Sequence, residues 1–413
     1  MESLYQSTLA PIKKTLYSGM LSRFTQPTDQ HMLLLQLLQK EPILSLQILS
    51  RDSGQVYTFR VFLSDDEAND YLRPFFHKSY ISMDSISSDR TFNKIRTLLL
   101  DCEANHSSCI LGRSRDLPSL PNRVLEILNE EEELTIRLHI SESEERGSYA
   151  ALSYCWGGPQ RFTLKSMNLN SMVRGIALTI LPRTILDAIT VTRKLGMRFL
   201  WVDSLCIIQD SAEDKIHEIS EMGDIYKNAN ITIVAANAST VEDGFLLERP
   251  PPELCPIPIQ LGPNVSGTAY LDKYGFDHQI DEFDEPLFRR GWAFQEFFLS
   301  PKILLYDSIK VTFTCPNHSF KGVHSNLAEY DYPAKPALSK VLYSFSEEAV
   351  VIRDHFLSHD WTQLISKYSS REFSNFEDRL PAIAGIAKIV SRKWNEDYVA
   401  GIWRRFLVHQ LAW

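Results

Sequence analysis

A chain of 413 residues has room for two or three domains, and a composition 44% hydrophobic and 23% charged excludes an intrinsically disordered polymer. The formal net charge of −9, with no basic stripe to offset it, argues against nucleic acid as a partner. Cys102, Cys109, Cys155, Cys206, Cys255 and Cys315 are spread too widely for a secreted disulfide framework, and no apolar run approaches the roughly 20 residues of a membrane span, so the expected setting is cytoplasmic, with reduced thiols.

Residues 1–24 lack a secretory apolar core; Ser/Thr-rich and poor in acids, they leave a mitochondrial presequence as the minor alternative. "HMLLLQLLQ" (31–39) has helical apolar spacing. "PILSLQIL" and "VYTFRVFL" flank the polar turn "SRDSG" and predict a hairpin. Residues 65–100 read as helical, and a second hairpin is expected to turn at Asn129–Glu133. "YAALSYCW" (149–156) is a short apolar strand that stops at Gly157 and Gly158. In "LPRTILDAITVTRKLG", Pro182 suits a first helical turn and Gly196 the stop. "RFLWVDSLCII" reads as a strand, and "SAEDKIHEISEMGDIYKNA" as a helix capped by Ser211, with Ile216, Ile219, Met222 and Tyr226 on one side. "ITIVAAN" is a further buried strand, and the alternation predicts a parallel α/β sheet. Residues 239–286 break the rhythm and read as an insertion with short strands. A helix over 290–299, a strand "KILLYDSIKVTFTC" and a mostly helical stretch after about residue 325 complete the pattern.

In parallel α/β sheets, ligands bind beyond the carboxyl ends of the strands. That rule selects Cys155–Gly158 after one strand and Asp203–Asp210 on and after the next, and the candidate ligand contacts around them are Ser153, Tyr154, Trp156, Gly157, Ser204, Gln209 and Asp210. Glu296 stands near the start of a later helix with Arg290, Trp292 and Gln295 around it. Two readings stand for each acid. Asp203 bonds a neighbouring backbone amide or orients a ligand, and Glu296 is the ion-pair mate of Arg289 or Arg290 or a carboxylate held for chemistry. Trp156, Trp201 and Trp292 read first as core, second as ligand platforms. "CEANHSSC" offers Cys102, His106 and Cys109, but zinc takes four ligands and no matching C-x-x-C or H-x-x-x-H follows, so no metal is expected. No Walker loop, GxGxxG or GxSxG is present, and neither Cys155 nor Cys206 has a histidine nearby in sequence to activate it.

Taken together, "LPNRVLEI", "YAALSYCWGG", "TLKSMNLNSM", "LPRTILDAITVTRKLGMRFLWVDSLCIIQD", "EMGDIYKNANITIVAA" and "RGWAFQEFFLSPKILLY" resemble the fungal heterokaryon incompatibility (HET) domain family, over roughly residues 94–413. Members usually carry a tryptophan where Lys215 stands and Thr-Leu where Ala293–Phe294 stand. Many continue past the final Leu-x-Trp block, so an accessory tail is expected to be absent. The resemblance implies a flavodoxin/TIR-like, mostly parallel α/β sheet flanked by helices. It implies an N-terminal α+β extension (1–93), the HET core (94–325) and a helical C-terminal region (326–413). It also implies a role in fungal non-self recognition and cell death. Some TIR domains cleave NAD with the glutamate of a W-x-x-x-E arrangement, the spacing of Trp292 and Glu296 here. The resemblance therefore marks Glu296 as a candidate catalytic residue and NAD as a substrate, with no cofactor required, and Asp203, chosen by its strand-end position, is the second candidate catalytic residue. Homo-oligomerisation or partner-triggered assembly is the expected mode of action. A non-catalytic self-associating module and an enzyme of secondary metabolism are the alternatives.

Overall fold

The computed structural model describes residues 85–106, 109, 117–130, 133–249, 285–308, 311–316, 318–322 and 353–411. It also describes the strands at 31–34, 45–50, 56–64, 80–81, 254–262 and 265–272. The chain divides into two compact units: residues 1–85, 248–280 and 322–330, and residues 86–247, 281–321 and 331–413.

The smaller unit is built on a six-stranded sheet. Ser45–Ser50 and Val56–Ser64 form the expected antiparallel hairpin. His31–Leu34 is a strand rather than the start of a helix and pairs with Ser45–Ser50. A short leucine run fits either period, and the edge offered by the hairpin selects the extended form. Tyr80–Ile81, inside a stretch that reads as helical, also pairs as a strand, beside Leu63 and Ser64. The insertion supplies Leu254–Gly262 and Val265–Asp272, and the second of these pairs with Val56–Ser64. The rest of the helical expectation over 65–79 and 35–39 lies outside the described residues.

The larger unit opens with α1 (Asp89–Asn105), whose N-terminus is capped by Ser88 accepting from the Thr91 N–H at 3.2 Å. Strands β1 (Arg123–Glu130) and β2 (Glu133–Ile140) form the second expected hairpin, with Glu130 opposite Glu133. Then follow β3 (Tyr149–Ser153), α2 (Arg183–Lys194), β4 (Phe199–Trp201), α3 (Asp203–Cys206), α4 (Ala212–Asn228) and β5 (Ile231–Ala235). The chain continues through α5 (Gly291–Leu299), β6 (Ile303–Tyr306), β7 (Val311–Cys315) and β8 (His318–Gly322) to α6 (Trp361–Ser369) and α7 (Pro381–Trp394).

The sheet order is β8-β7-β6-β5-β3-β4-β1-β2. Strands β4, β3, β5 and β6 are mutually parallel, and antiparallel strands extend the sheet at either side. This is the expected α/β class, with helices accompanying a parallel centre. Strands β3, β5 and β6 are buried at every position, which is why they read as continuous apolar runs rather than alternations.

Three expected elements take different shapes. The run "RFLWVDSLCII" is extended only over β4, because the Asp203 carboxylate accepts from the Ser204 N–H at 2.6 Å and Cys206 N–H bonds the Val202 carbonyl at 2.8 Å, which starts a helical turn. "KILLYDSIKVTFTC" is two strands that reverse between Tyr306 and Val311. On α4, Ser211 caps as expected, but Ile216 is 72% exposed and Glu218 is buried. Glu218 accepts from Asn122 at 2.9 Å and from Arg123 at 3.1 Å, and that anchor sets the helix's rotation about its axis.

Helix α7 lies against α4 so closely that a Cβ on Gly223 would stand 2.9 Å from the Gly385 Cα. Among the described residues no helix is long and apolar enough to cross a membrane.

One buried acid tests the sheet. Glu126 on β1 is fully buried, bonded by Arg137 at 2.5 Å and by Arg198. Burial pushes its carboxyl up, but the two guanidiniums outweigh that and hold it below its ordinary value. A depressed acid stabilises the fold above its unfolded pKa and loses that contribution as pH falls through the folded value. Glu126→Gln is therefore expected to lower the denaturant midpoint at pH 7 by more than at pH 3. Equal losses at both pH values would show that the ion pairs contribute nothing.

Candidate functional site

Taken in chain order, the four parallel strands are arranged 2-1-3-4, so the winding reverses between β3 and β5. The crevice outside their carboxyl ends is where a doubly wound sheet binds ligands. Ser153 is the last residue of β3, and the loop Tyr154–Gly158 follows it at that end of the sheet. The loop after β5 meets it there: the Val241 N–H bonds the Trp156 carbonyl at 3.3 Å.

Glu296 reaches the same end from α5. Its Oε2 accepts from the Ser153 hydroxyl at 2.5 Å, and the side chain is 5% exposed. Asp203, just past β4, accepts from the Trp156 indole N–H at 2.8 Å and is half-buried, as are Trp156 and Arg290. Arg290 donates a guanidinium N–H to the Tyr154 carbonyl and acts on Glu296 through space. Below this layer the Tyr154 hydroxyl donates to Ser204 at 2.8 Å and accepts from Gln160 at 2.9 Å, and the Tyr226 hydroxyl donates to the Leu152 carbonyl at 2.9 Å.

Burial pushes the Glu296 carboxyl up to about 7, against the opposing pull of Arg290 and of the Ser153 hydroxyl; the nearby Asp203 adds to the rise. Burial also raises Asp203, against the Trp156 N–H and Arg290. Two carboxyls with raised proton affinity under one guanidinium form an acid–base constellation. The neighbouring thiols are different. Burial pushes Cys155 up to about 11 and Cys206 up to about 12, so both stay protonated at neutral pH and neither is an activated nucleophile.

The other sequence-selected residues divide. Ser153, Tyr154, Trp156, Ser204, Asp203, Arg290 and Glu296 come together. Gly157 is not open space for a ligand: it has φ +70, and a Cβ there would lie 2.4 Å from the Thr240 Cβ. Gln209 bonds the carbonyls of Asp203 and Ile207 at 3.2 and 3.0 Å and so ties down α3. Asp210, exposed, accepts from the Ser166 N–H at 2.8 Å. Trp292 donates to Asp378 at 3.1 Å, and Gln295 accepts from the Gly385 N–H at 2.8 Å, so both tie α5 to the C-terminal segment.

Tyr226, Gln160 and the Thr240–Asp243 loop escape sequence reasoning. Tyr226 reads as one more apolar contact of α4. The loop reads as the start of an insertion, although Asp243 closes it through bonds from Ser239 and Thr240 at 2.7–2.9 Å. A signal was present in "STVED", where Ser/Thr hydroxyls precede an acid at turn spacing.

A doubly wound sheet with an acid pair at its switch point defines an α/β protein with a candidate ligand crevice. Residues 149–296 match the family model described as heterokaryon incompatibility protein (HET), so that segment of the chain carries a HET domain. The match begins at the first residue of β3 and ends at Glu296, and so contains every residue of the acid constellation. No curated protein and no solved structure matches the chain.

Proposed function

We propose that this crevice is the active centre of a cell-death effector in non-self recognition, and that it cleaves the nicotinamide–ribose bond of NAD. One observation carries the reading: the Glu296 carboxyl, bonded by Ser153 at the switch point, has a proton affinity raised to about 7. Near neutral pH such a group is divided between carboxylate and acid, which suits it to both electrostatic and proton-transfer work.

In the reaction the C1′–N bond breaks and its electron pair leaves with the ring nitrogen, neutralising the pyridinium. The ribosyl centre becomes oxocarbenium-like and is stabilised by the Glu296 carboxylate. Water then adds to C1′ and a proton is released. Asp203 is placed to orient a ribose hydroxyl or the water, and the Trp156 indole, fixed by Asp203, offers a face to an aromatic ring. The W-x-x-x-E spacing of Trp292 and Glu296 and the 2-1-3-4 strand order support a TIR-like assignment. NAD is a substrate here, and activity depends on self-association or on a partner.

Purified protein and its Glu296→Ala variant, incubated with NAD, are expected to differ about 10²–10³-fold in nicotinamide release. Absence of release from the wild type in every oligomeric state would end this reading. Equal release from both would place the chemistry elsewhere. The 5% exposure of Glu296 favours a second reading, a self-associating module without chemistry. Cell death caused by a folded, assembling Glu296→Ala protein decides for it.

A further inference from the structure

A separate cluster lies where the end of α1 meets β7. Cys102, His106, Cys109 and Cys315 place their four ligating atoms within 4.8 Å of one another. We propose that these four residues form a structural zinc site that fastens the end of α1 to β7.

The local geometry is that of a ligand set rather than of packed thiols. Cys102 and His106 are four residues apart at the end of α1, which puts them on one face. His106 is the C-cap, and there the chain turns so that Cys109 follows; the Cys109 N–H bonds the His106 carbonyl at 3.0 Å. The fourth donor, Cys315, is 209 residues from His106 in the chain and closes the last strand position of β7. His106 Nδ1 is 3.4 Å from the Cys315 Sγ and 4.0 Å from the Cys109 Sγ. A tetrahedron with ordinary Zn–S and Zn–N bonds spaces nitrogen and sulfur about 3.6 Å apart, between those two values.

A carboxylate stands on the other side of the imidazole: His106 Nε2 is 3.6 Å from Asp101 Oδ2, longer than a hydrogen bond but close enough to favour a proton on Nε2 and leave Nδ1 for the metal. The four side-chain positions are 0%, 6%, 9% and 3% exposed for Cys102, His106, Cys109 and Cys315. A closed set of three thiolates and one imidazole leaves no position for water or substrate, so the site is structural and not catalytic. Tetrahedral sulfur-rich donors select zinc over magnesium or calcium. A disulfide would join two of the sulfurs and leave the third and the imidazole unused; no disulfide joins Cys102, Cys109 and Cys315.

The full chain, expressed with zinc and dialysed, is expected to hold one zinc per molecule by elemental analysis. Cobalt substitution is expected to give the intense visible bands of a tetrahedral thiolate site. Cys315→Ser should lose the metal. Asp101→Asn, which leaves all four ligands in place, should weaken zinc binding about 10–100-fold as read by chelator competition. Chelation should lower the denaturant midpoint of the wild type and leave that of Cys315→Ser unchanged. A folded wild type without metal would overturn the proposal. So would an intact mass showing a disulfide within the cluster, or unchanged zinc content and cobalt spectrum in Cys315→Ser.

Discussion

Replacing Glu296 with glutamine is expected to stabilise the protein above pH 7 by about 3 kcal/mol and to leave its stability unchanged near pH 4. The carboxyl moves from an ordinary value of 4.5 to about 7 on folding, mainly because burial disfavours its charge. Each pKa unit is worth about 1.4 kcal/mol. The sign follows from proton counting. Below pH 4.5 folded and unfolded chains both hold the proton. Between 4.5 and 7 the folded chain keeps a proton that the unfolded chain gives up, so stability falls as pH rises; above 7 the loss is complete.

Glutamine keeps a group that bonds Ser153 and removes the ionisation, so it removes the slope. Urea unfolding of wild type and variant across pH 4–8 reads the difference directly, and groups common to both cancel. Superimposable pH profiles would mean that Glu296 titrates as it does in the unfolded chain, and the argument for an acid–base site would fail with it. Such a gain would also show that the native residue is kept at a cost to stability, as functional acids are.

Gly157→Ala is expected to destabilise the protein by about 2–5 kcal/mol and to distort the crevice. A left-handed backbone costs a non-glycine residue about 1–2 kcal/mol, and overpacking adds about 1–3. Both apply here: φ is +70, and the new Cβ would stand 2.4 Å from the Thr240 Cβ and 2.6 Å from its Cα. Thr240 is not free to retreat, because its N–H and hydroxyl both bond Asp243. Gly175→Ala is the control. Among the described residues nothing lies within 4 Å of a Cβ at that position, and its φ of 164 is extended backbone open to any residue, so its effect should stay within about 0.5 kcal/mol. A loss at Gly157 no larger than at Gly175 would show that the loops after β3 and β5 are not locked together.

What the sequence determined on its own were features carried by neighbours along the chain. Apolar runs marked β3, β5 and β6, Ser211 marked a cap, and polar turns marked two hairpins, because hydrophobic period and capping act over a few residues. The strand–helix alternation was enough for the α/β class and, through the strand-end rule, for naming Asp203 and the loop after β3, whereas Glu296 was singled out by its apolar neighbours and its W-x-x-x-E spacing. Tertiary structure decided the rest. A leucine run became a strand because a neighbouring edge accepted it, and Glu218 turned α4 because Arg123 and Asn122 met it from β1 and the residue before it. Glu296 was separated from simple ion pairing only when Arg290 was seen to donate to Tyr154 and Ser153 to hold the carboxylate. Cys315 joined Cys102, His106 and Cys109 by the folding of the sheet. Contacts between residues hundreds of positions apart depend on which surfaces pack, and no local spacing records that choice.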